Sequence, residues 1–242
     1  MVSKNEIKLI TSLQQKKYRN KHRLFVVEGV KSVDEFIHSQ YPVYKIYITP
    51  GIPIPDHIGP VQEVSANVLK KMSSFKTPAG ILGVFAMPEH TIMDTDDLQV
   101  VLDGIQDPGN LGTIIRLCDW FGVTQLICSL DTVDCYNPKV VQATMGSLTR
   151  VNMIYTDIVP FLAKQQLPIY ISKMDAMNVY QQHLDNKAIL VMGNEANGIS
   201  APVQKLATKS IRIPRFGEQS KAESLNVATA TAVLLSEFRR NN

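Results

Sequence analysis

The second half of the chain alternates two kinds of segment, and that alternation leaves few folds open. Between residues 97 and 242, short apolar runs ("QVVLD", "QLICS", "IYIS", "AILVMG" and "SIRIP") are separated by longer stretches with an oily stripe and a polar face. Runs that are apolar at successive residues, not at alternate ones, suit strands buried on both sides. The pattern therefore predicts a mostly parallel sheet covered by helices on each face. The helices are expected at 110–121, 138–149, 158–166, 200–208 and 224–240, with Asn137-Pro138 supplying a cap and a first-turn proline. Ligands of such sheets lie beyond the carboxyl ends of the strands, so the strand-to-helix corners are where chemistry is sought.

Three corners stand out. The first is "VLDGIQDPGNLGTIIRLCDWFG", residues 101–122. Here Ile114, Leu117, Cys118 and Phe121 follow helical spacing, Asn110 reads as the N-cap and Gly122 as the stop. Arg116 falls roughly opposite the apolar stripe, and spacing alone leaves it a solvated cation. The second corner, "AILVMGNEANGIS", runs a strand into Gly193-Asn194-Glu195-Ala196-Asn197-Gly198. Its glycines and asparagines tolerate left-handed backbone, and Glu195 can bond the loop's own amides. The third, "IRIPRFGEQSKAESLNVATATAVLLSEFRR", ends a strand at Pro214, crosses a polar loop and enters a helix with Ser224 as its cap. Ala228 to Ala232 keep that helix slim enough for close packing. No G-x-G-x-x-G and no G-K-[ST] occurs at these turns, which removes the commonest nucleotide loops.

The first ninety residues differ in composition. They read as a small α/β unit: a helix at "EIKLITSLQQ", a strand at "RLFVVEG", a helix at "VKSVDEFIHS" and strands at "VYKIYIT" and "GILGVFAMP". Prolines mark a loop over 50–60, and "MPEHTIMDTDD" serves as a linker. The domains are accordingly expected at 1–90 and 97–242. The net charge of +3 is unevenly spread: residues 1–31 carry eight Lys/Arg against two acids, +6, so the other 211 residues sum to −3. The centre, "KKYRNKHR", holds Lys16, Lys17, Arg19, Lys21 and Arg23 without an acid. Such a run suits a polyanion, whose condensed counterions are released on binding. It also suits a plain solvated helix face.

No apolar run is long enough to span a bilayer, and the start has neither a signal-peptide core nor a transit-peptide composition. A cytoplasmic protein without membrane association is the expectation. Cys118, Cys128 and Cys135 form no C-x-x-C pair, and His22, His38, His57, His90 and His183 have no ligand spacing, so no metal is expected.

Taken together, "QDPGNLGTIIR", "GNEANGIS" and "SLNVATA" resemble, in order and spacing, the three motifs of the SpoU-type RNA ribose 2′-O-methyltransferases of the SPOUT superfamily. The likeness covers essentially the whole chain, and "YRNKHRLFVVEG" resembles that family's ribosomal-protein-like substrate-binding domain more loosely. The resemblance implies an α/β fold whose C-terminal parallel sheet carries a trefoil knot. It implies S-adenosylmethionine held by Gly193, Asn194, Ile213 and Leu225, and a homodimer. It places Asn110, Arg116, Glu195, Ser224 and Asn226 at the polar catalytic positions. The substrate it implies is structured RNA, ribosomal RNA ahead of tRNA because a separate N-terminal domain is present. Ala196 and Ala228 stand where the family often has glycine and serine. A non-catalytic RNA-binding protein of the same fold is the alternative, while an oxidoreductase on a similar sheet is disfavoured by the missing glycine fingerprint.

Overall fold

The computed structural model describes residues 2–53, 59–93, 95, 97–217 and 224–240. His57, part of the proline-marked loop and residues 218–223 lie outside them. In chain order the elements are α1 (Lys4–Ser12), α2 (Lys16–His22), β1 (Leu24–Glu28), α3 (Val30–Ile37), β2 (Val43–Ile48), β3 (Val61–Glu63), α4 (Ala66–Met72) and β4 (Ile81–Ala86). There follow β5 (Gln99–Asp103), α5 (Pro108–Trp120), β6 (Gln125–Cys128), α6 (Pro138–Thr144), β7 (Asn152–Tyr155), α7 (Ile158–Ala163), β8 (Ile169–Asn178), β9 (Ile189–Gly193), α8 (Ala201–Leu206), β10 (Lys209–Arg212) and α9 (Val227–Phe238). They form two compact units: Met1–Glu89 together with Asp134–Thr149, and His90–Val133 together with Arg150–Asn242.

The first unit is built on a sheet of order β1-β4-β2-β3, antiparallel except for the β2–β3 pair. Alternation along β1 sends Leu24 and Val26 to one face, where Ile10, Leu13, Leu69 and Met72 of the α1 and α4 side complete a core. Phe25 faces the other way into an aromatic cluster with Phe36, Tyr41, Phe85 and Tyr136. Tyr136 comes from the excursion 134–149, whose helix α6 packs on β1 with Val140 and Val141 buried. The N-terminal helix starts in a capping box between Ser3 and Glu6, and Glu6 also accepts from Lys45 Nζ and Tyr47 Oη, each at 2.6 Å. Neither β3 nor α4 has a counterpart among the expected elements. Each is too short for its few inward residues to show a period.

The second unit is a wholly parallel six-stranded sheet of order β10-β8-β9-β5-β6-β7. Five of these strands lie where the apolar runs put them. The sixth, β7, has only Met153 and Ile154 buried and escapes notice as an apolar run. Val101, Ile127, Ile171 and Val191 point to the face covered by α7 and α8, with Ile158, Leu162 and Val203. The alternate residues point to the face of α5 and α9, where the Tyr170 and Phe238 rings meet edge-on at 5.0 Å. One irregularity matters for the site. Ser210 pairs with Ile171 but Ile211 with Met177, so residues 172–176 leave the β8–β10 ladder and bow outward.

Candidate active site

The three corners all lie at carboxyl ends of strands of the parallel sheet: β5 and β9 are neighbours, and β10 is separated from β9 by β8. At the first, β5 is followed by Gly104, whose φ of +75° turns the chain while its N–H donates to Ser129 Oγ at 2.8 Å. Helix α5 begins two residues earlier than expected. Its N-cap is Asp107, whose Oδ1 accepts from Asn110 N at 2.8 Å, with Pro108 in the first turn. Asn110 is therefore not the cap. It stands inside the first turn with its side-chain amide available for other partners. The buried stripe is Leu111, Ile114, Ile115 and Cys118, so the helix is turned slightly from the expected face, leaving Leu117 and Phe121 half-buried. Burial pushes the Cys118 thiol pKa up.

The second corner closes on itself. Asn194 and Gly198 exchange backbone hydrogen bonds at 2.9 and 2.8 Å, and Asn194 Oδ1 accepts from the amides of Ala196 and Asn197 at 2.9 and 3.0 Å. Asn194, not Glu195, thus satisfies the loop's own amides. Its Nδ2 donates to Gly104 O at 2.6 Å and so ties this corner to the first. A Cβ on Gly193 would lie 2.5 Å from the backbone of both Gly198 and Ile199, so only glycine permits the loop to fold back. Ala196 does not have a positive φ, and its Cβ costs nothing there; Gly198 takes the left-handed position at +66°.

At the third corner the cap is Asn226, not Ser224. Its Oδ1 accepts from Ala228 and Thr229 N at 3.0 and 3.2 Å. Its Nδ2 reaches across to Asn110 Oδ1 at 2.8 Å, and Asn110 Nδ2 donates in turn to Glu195 Oε1 at 2.5 Å. One polar residue from each corner is thereby joined in a single relay: Asn226 to Asn110 to Glu195. Ala228 is buried on α9, beside Thr231, whose hydroxyl returns to Val227 O at 2.7 Å.

A cavity of about 360 Å³ opens between the second and third corners, and Gly193, Asn194, Ile213 and Leu225 all line it, as do Glu195 and Ser224. Its apolar walls are Met192, Ile199, Ile213, Leu225 and Val227, with Gly193, Asn194 and Gly198 presenting backbone. Volume and lining suit a small amphipathic cofactor with an aromatic part and a polar tail. Lys173 and Asp175 reach the cavity from the outward bow of β8. Sequence reasoning missed them because the bow shows only in the pairing of strands far apart in the chain. Asn110, Arg116 and Asn226 are not in the lining. Arg116 is exposed on α5 and makes no ion pair with the described residues.

In the first unit, Lys16, Lys17, Lys21 and Arg23 are exposed on and just after α2, and Arg23 donates to Pro88 O at 3.2 Å. Arg19 departs from the expected basic row. It is 2% exposed, and Asp134 occupies its guanidinium.

Among the described residues no helix is long and apolar enough to cross a membrane, and no three His, Cys, Asp or Glu converge as metal ligands.

Residues 97–236 match the model of the SpoU rRNA Methylase family, and residues 4–83 that of the MRM3-like substrate binding domain. The chain is 29% identical to the 23S rRNA (guanosine(2553)-2′-O)-methyltransferase RlmP of Bacillus subtilis, over 94% of this chain and 93% of that protein. Among solved structures, a TrmH-family protein from Porphyromonas gingivalis superposes with a TM-score of 0.91 at 38% identity, covering both chains completely. An AdoMet-bound rRNA methyltransferase from Sinorhizobium meliloti superposes with a TM-score of 0.86 at 28% identity, covering 99% of this chain and 97% of that one.

Proposed function

Because the chain belongs to the SpoU rRNA methylase family, we propose that it methylates a ribose 2′-hydroxyl of ribosomal RNA with S-adenosylmethionine as donor. The observation that carries this reading is the relay of Asn226, Asn110 and Glu195, which fixes three corners around a cavity of cofactor size. The residues present fit the donor: Ile213 and Leu225 offer apolar contact, and Gly193 and Gly198 offer backbone groups that carry no side chain. When bound there, the sulfonium supplies an activated methyl group.

The chain's own task is to make a poor nucleophile react. A ribose hydroxyl must be placed in line and its developing negative charge stabilised as the proton leaves. Arg116 is the cation for that task. Its guanidinium, with a pKa above ~12, is a poor proton acceptor, so its role is to stabilise the alkoxide and to grip the neighbouring phosphate through paired N–H groups. The proton passes to phosphate or water. Asn110, held by Asn226 and Glu195, sets the first turn of the helix that carries Arg116. Ser224 borders the cavity, and its role in this proposal is to meet the substrate.

The exposed cations Lys16, Lys17, Lys21 and Arg23 bind RNA backbone, which positions the substrate without reading its sequence. The trefoil knot belongs to this proposal, supported by the place of β8 between β9 and β10 and by the packing of α9 on α5 and β9. So do a homodimer, supported by Trp120, 84% exposed at the end of α5, and a cytoplasmic location.

The test is transfer of tritiated methyl from S-adenosylmethionine to unmodified ribosomal RNA, with the product mapped by resistance of one phosphodiester to alkali. Labelling of one 2′-oxygen is the expected result. Calorimetric binding of the donor with no transfer to ribosomal or transfer RNA would support the non-catalytic alternative instead.

A further inference from the structure

Little within the helix Lys16–His22 accounts for its being a helix. It has seven residues, its N-cap Gln15 makes no side-chain bond, and its first turn holds two lysines and no acid. Lysines there oppose the helix dipole, and Lys17–Lys21 is a like-charge pair at i,i+4. A helix this short is unstable by itself even with good composition. Its anchor is one buried residue. Arg19 Nε and Nη2 donate to Asp134 Oδ2 at 3.0 and 2.5 Å, and Nη1 donates to the carbonyls of Leu13 and Gln14, both at 2.9 Å. Asp134 is itself held: its Oδ1 accepts from Tyr136 N at 3.0 Å, and the Tyr136 ring lies 4.6 Å from that of Phe25. With 2% and 11% of their side chains exposed, neither partner of the pair is placed to meet a ligand.

We propose that Arg19 and Asp134 are positioning residues for RNA: their buried ion pair locks the helix Lys16–His22 so that Lys16, Lys17, Lys21 and Arg23 meet the phosphate backbone as a fixed array. This rests on the assignment of RNA as substrate. The four cations alone give attraction; held in one geometry they bind without first having to be ordered, which is where preorganised contacts gain affinity. The guanidinium makes four bonds, to two carbonyls and a carboxylate, more than the three donors of a lysine supply.

The test uses the full-length protein with a ribosomal RNA fragment as substrate. Asp134→Asn leaves Arg19 buried without its counter-charge. The expected result is a KM for RNA raised about tenfold, kcat at saturating RNA within twofold, and unchanged affinity for S-adenosylmethionine. Hydrogen exchange at amides 16–23 becomes faster, and the salt dependence of RNA binding becomes shallower by about two phosphate contacts. The double variant Arg19→Met/Asp134→Leu refills the same space without charge, as buried ion pairs often allow, and is expected to bring the KM back to within about threefold. An unchanged KM and salt slope in Asp134→Asn would overturn the proposal. So would a double variant as weak as the single one, since Arg19 would then be contacting RNA itself. A wild-type protein that transfers no methyl group to RNA would sink the substrate assignment, a result read separately from either.

Discussion

Replacing Gly193 by alanine puts the folding of the second corner to a direct test. The added Cβ would sit 2.5 Å from the carbonyl carbon of Gly198 and 2.5 Å from the nitrogen of Ile199, both backbone atoms with no rotamer to yield. To admit it, the loop has to open by about an ångström. That breaks the two Asn194–Gly198 backbone bonds and strains the Asn194 bond to Gly104 O. At about 1 kcal/mol net for each bond, two to three kcal/mol are lost, and where that loss falls on the binding-competent loop it weakens S-adenosylmethionine binding about 30- to 150-fold. Titration calorimetry on Gly193→Ala measures this. Gly198→Ala is the control: its φ of +66° makes alanine strained, but no atom lies within 4 Å of the new Cβ. It should cost about 1 kcal/mol and at most a tenfold loss of affinity. Binding by Gly193→Ala within threefold of wild type, or a larger loss at 198 than at 193, would refute the reasoning.

Other expectations follow from the same structure. Arg116→Ala should lower kcat by about 10²- to 10³-fold, the range for losing a charge stabiliser in the transition state. Arg116→Lys should recover only part of it, with S-adenosylmethionine affinity unchanged in both because residue 116 is outside the cavity lining; single-turnover kinetics and calorimetry separate these effects. Acid stability should depend on Asp185, whose carboxyl is held below the ordinary range chiefly by the hydrogen bond from Lys209 and then by that from Tyr170. A lowered folded-state pKa contributes stability above the unfolded value near 4 that disappears as pH falls through the folded one. Urea midpoints between pH 3 and 6 should therefore fall less steeply in Asp185→Asn. Residues 1–90 expressed alone should lack fixed aromatic packing in near-ultraviolet circular dichroism, because Tyr136, Val140, Val141 and Leu148 are buried parts of that unit. Appending 134–149 through a flexible linker should restore the signal.

Much of the site was legible because backbone geometry writes itself into glycine and asparagine. Gly193, Asn194 and Gly198 announce a loop that tolerates left-handed backbone, and continuous apolar runs announce parallel strands. The caps were not legible: Asp107 and Asn226 compete with equally good neighbours, Asn110 and Ser224, and the choice is made by the proline in one case and by a cross-corner bond in the other. Burial of Arg19 left no trace, since its helix is polar throughout and its partner lies 115 residues further on. The bow of β8 and the excursion 134–149 are set by long-range pairing and packing, to which a local pattern is blind.

That excursion has a consequence for biosynthesis. A ribosome emits the N-terminal ninety residues several seconds before Thr149, and until then the Phe25 cluster lacks one wall and the basic helix lacks its counter-ion. The nascent segment must wait, half-assembled and cationic, within reach of the class of polymer proposed as its ligand. Early association with RNA, before the chain is finished, would then compete with completion of the fold.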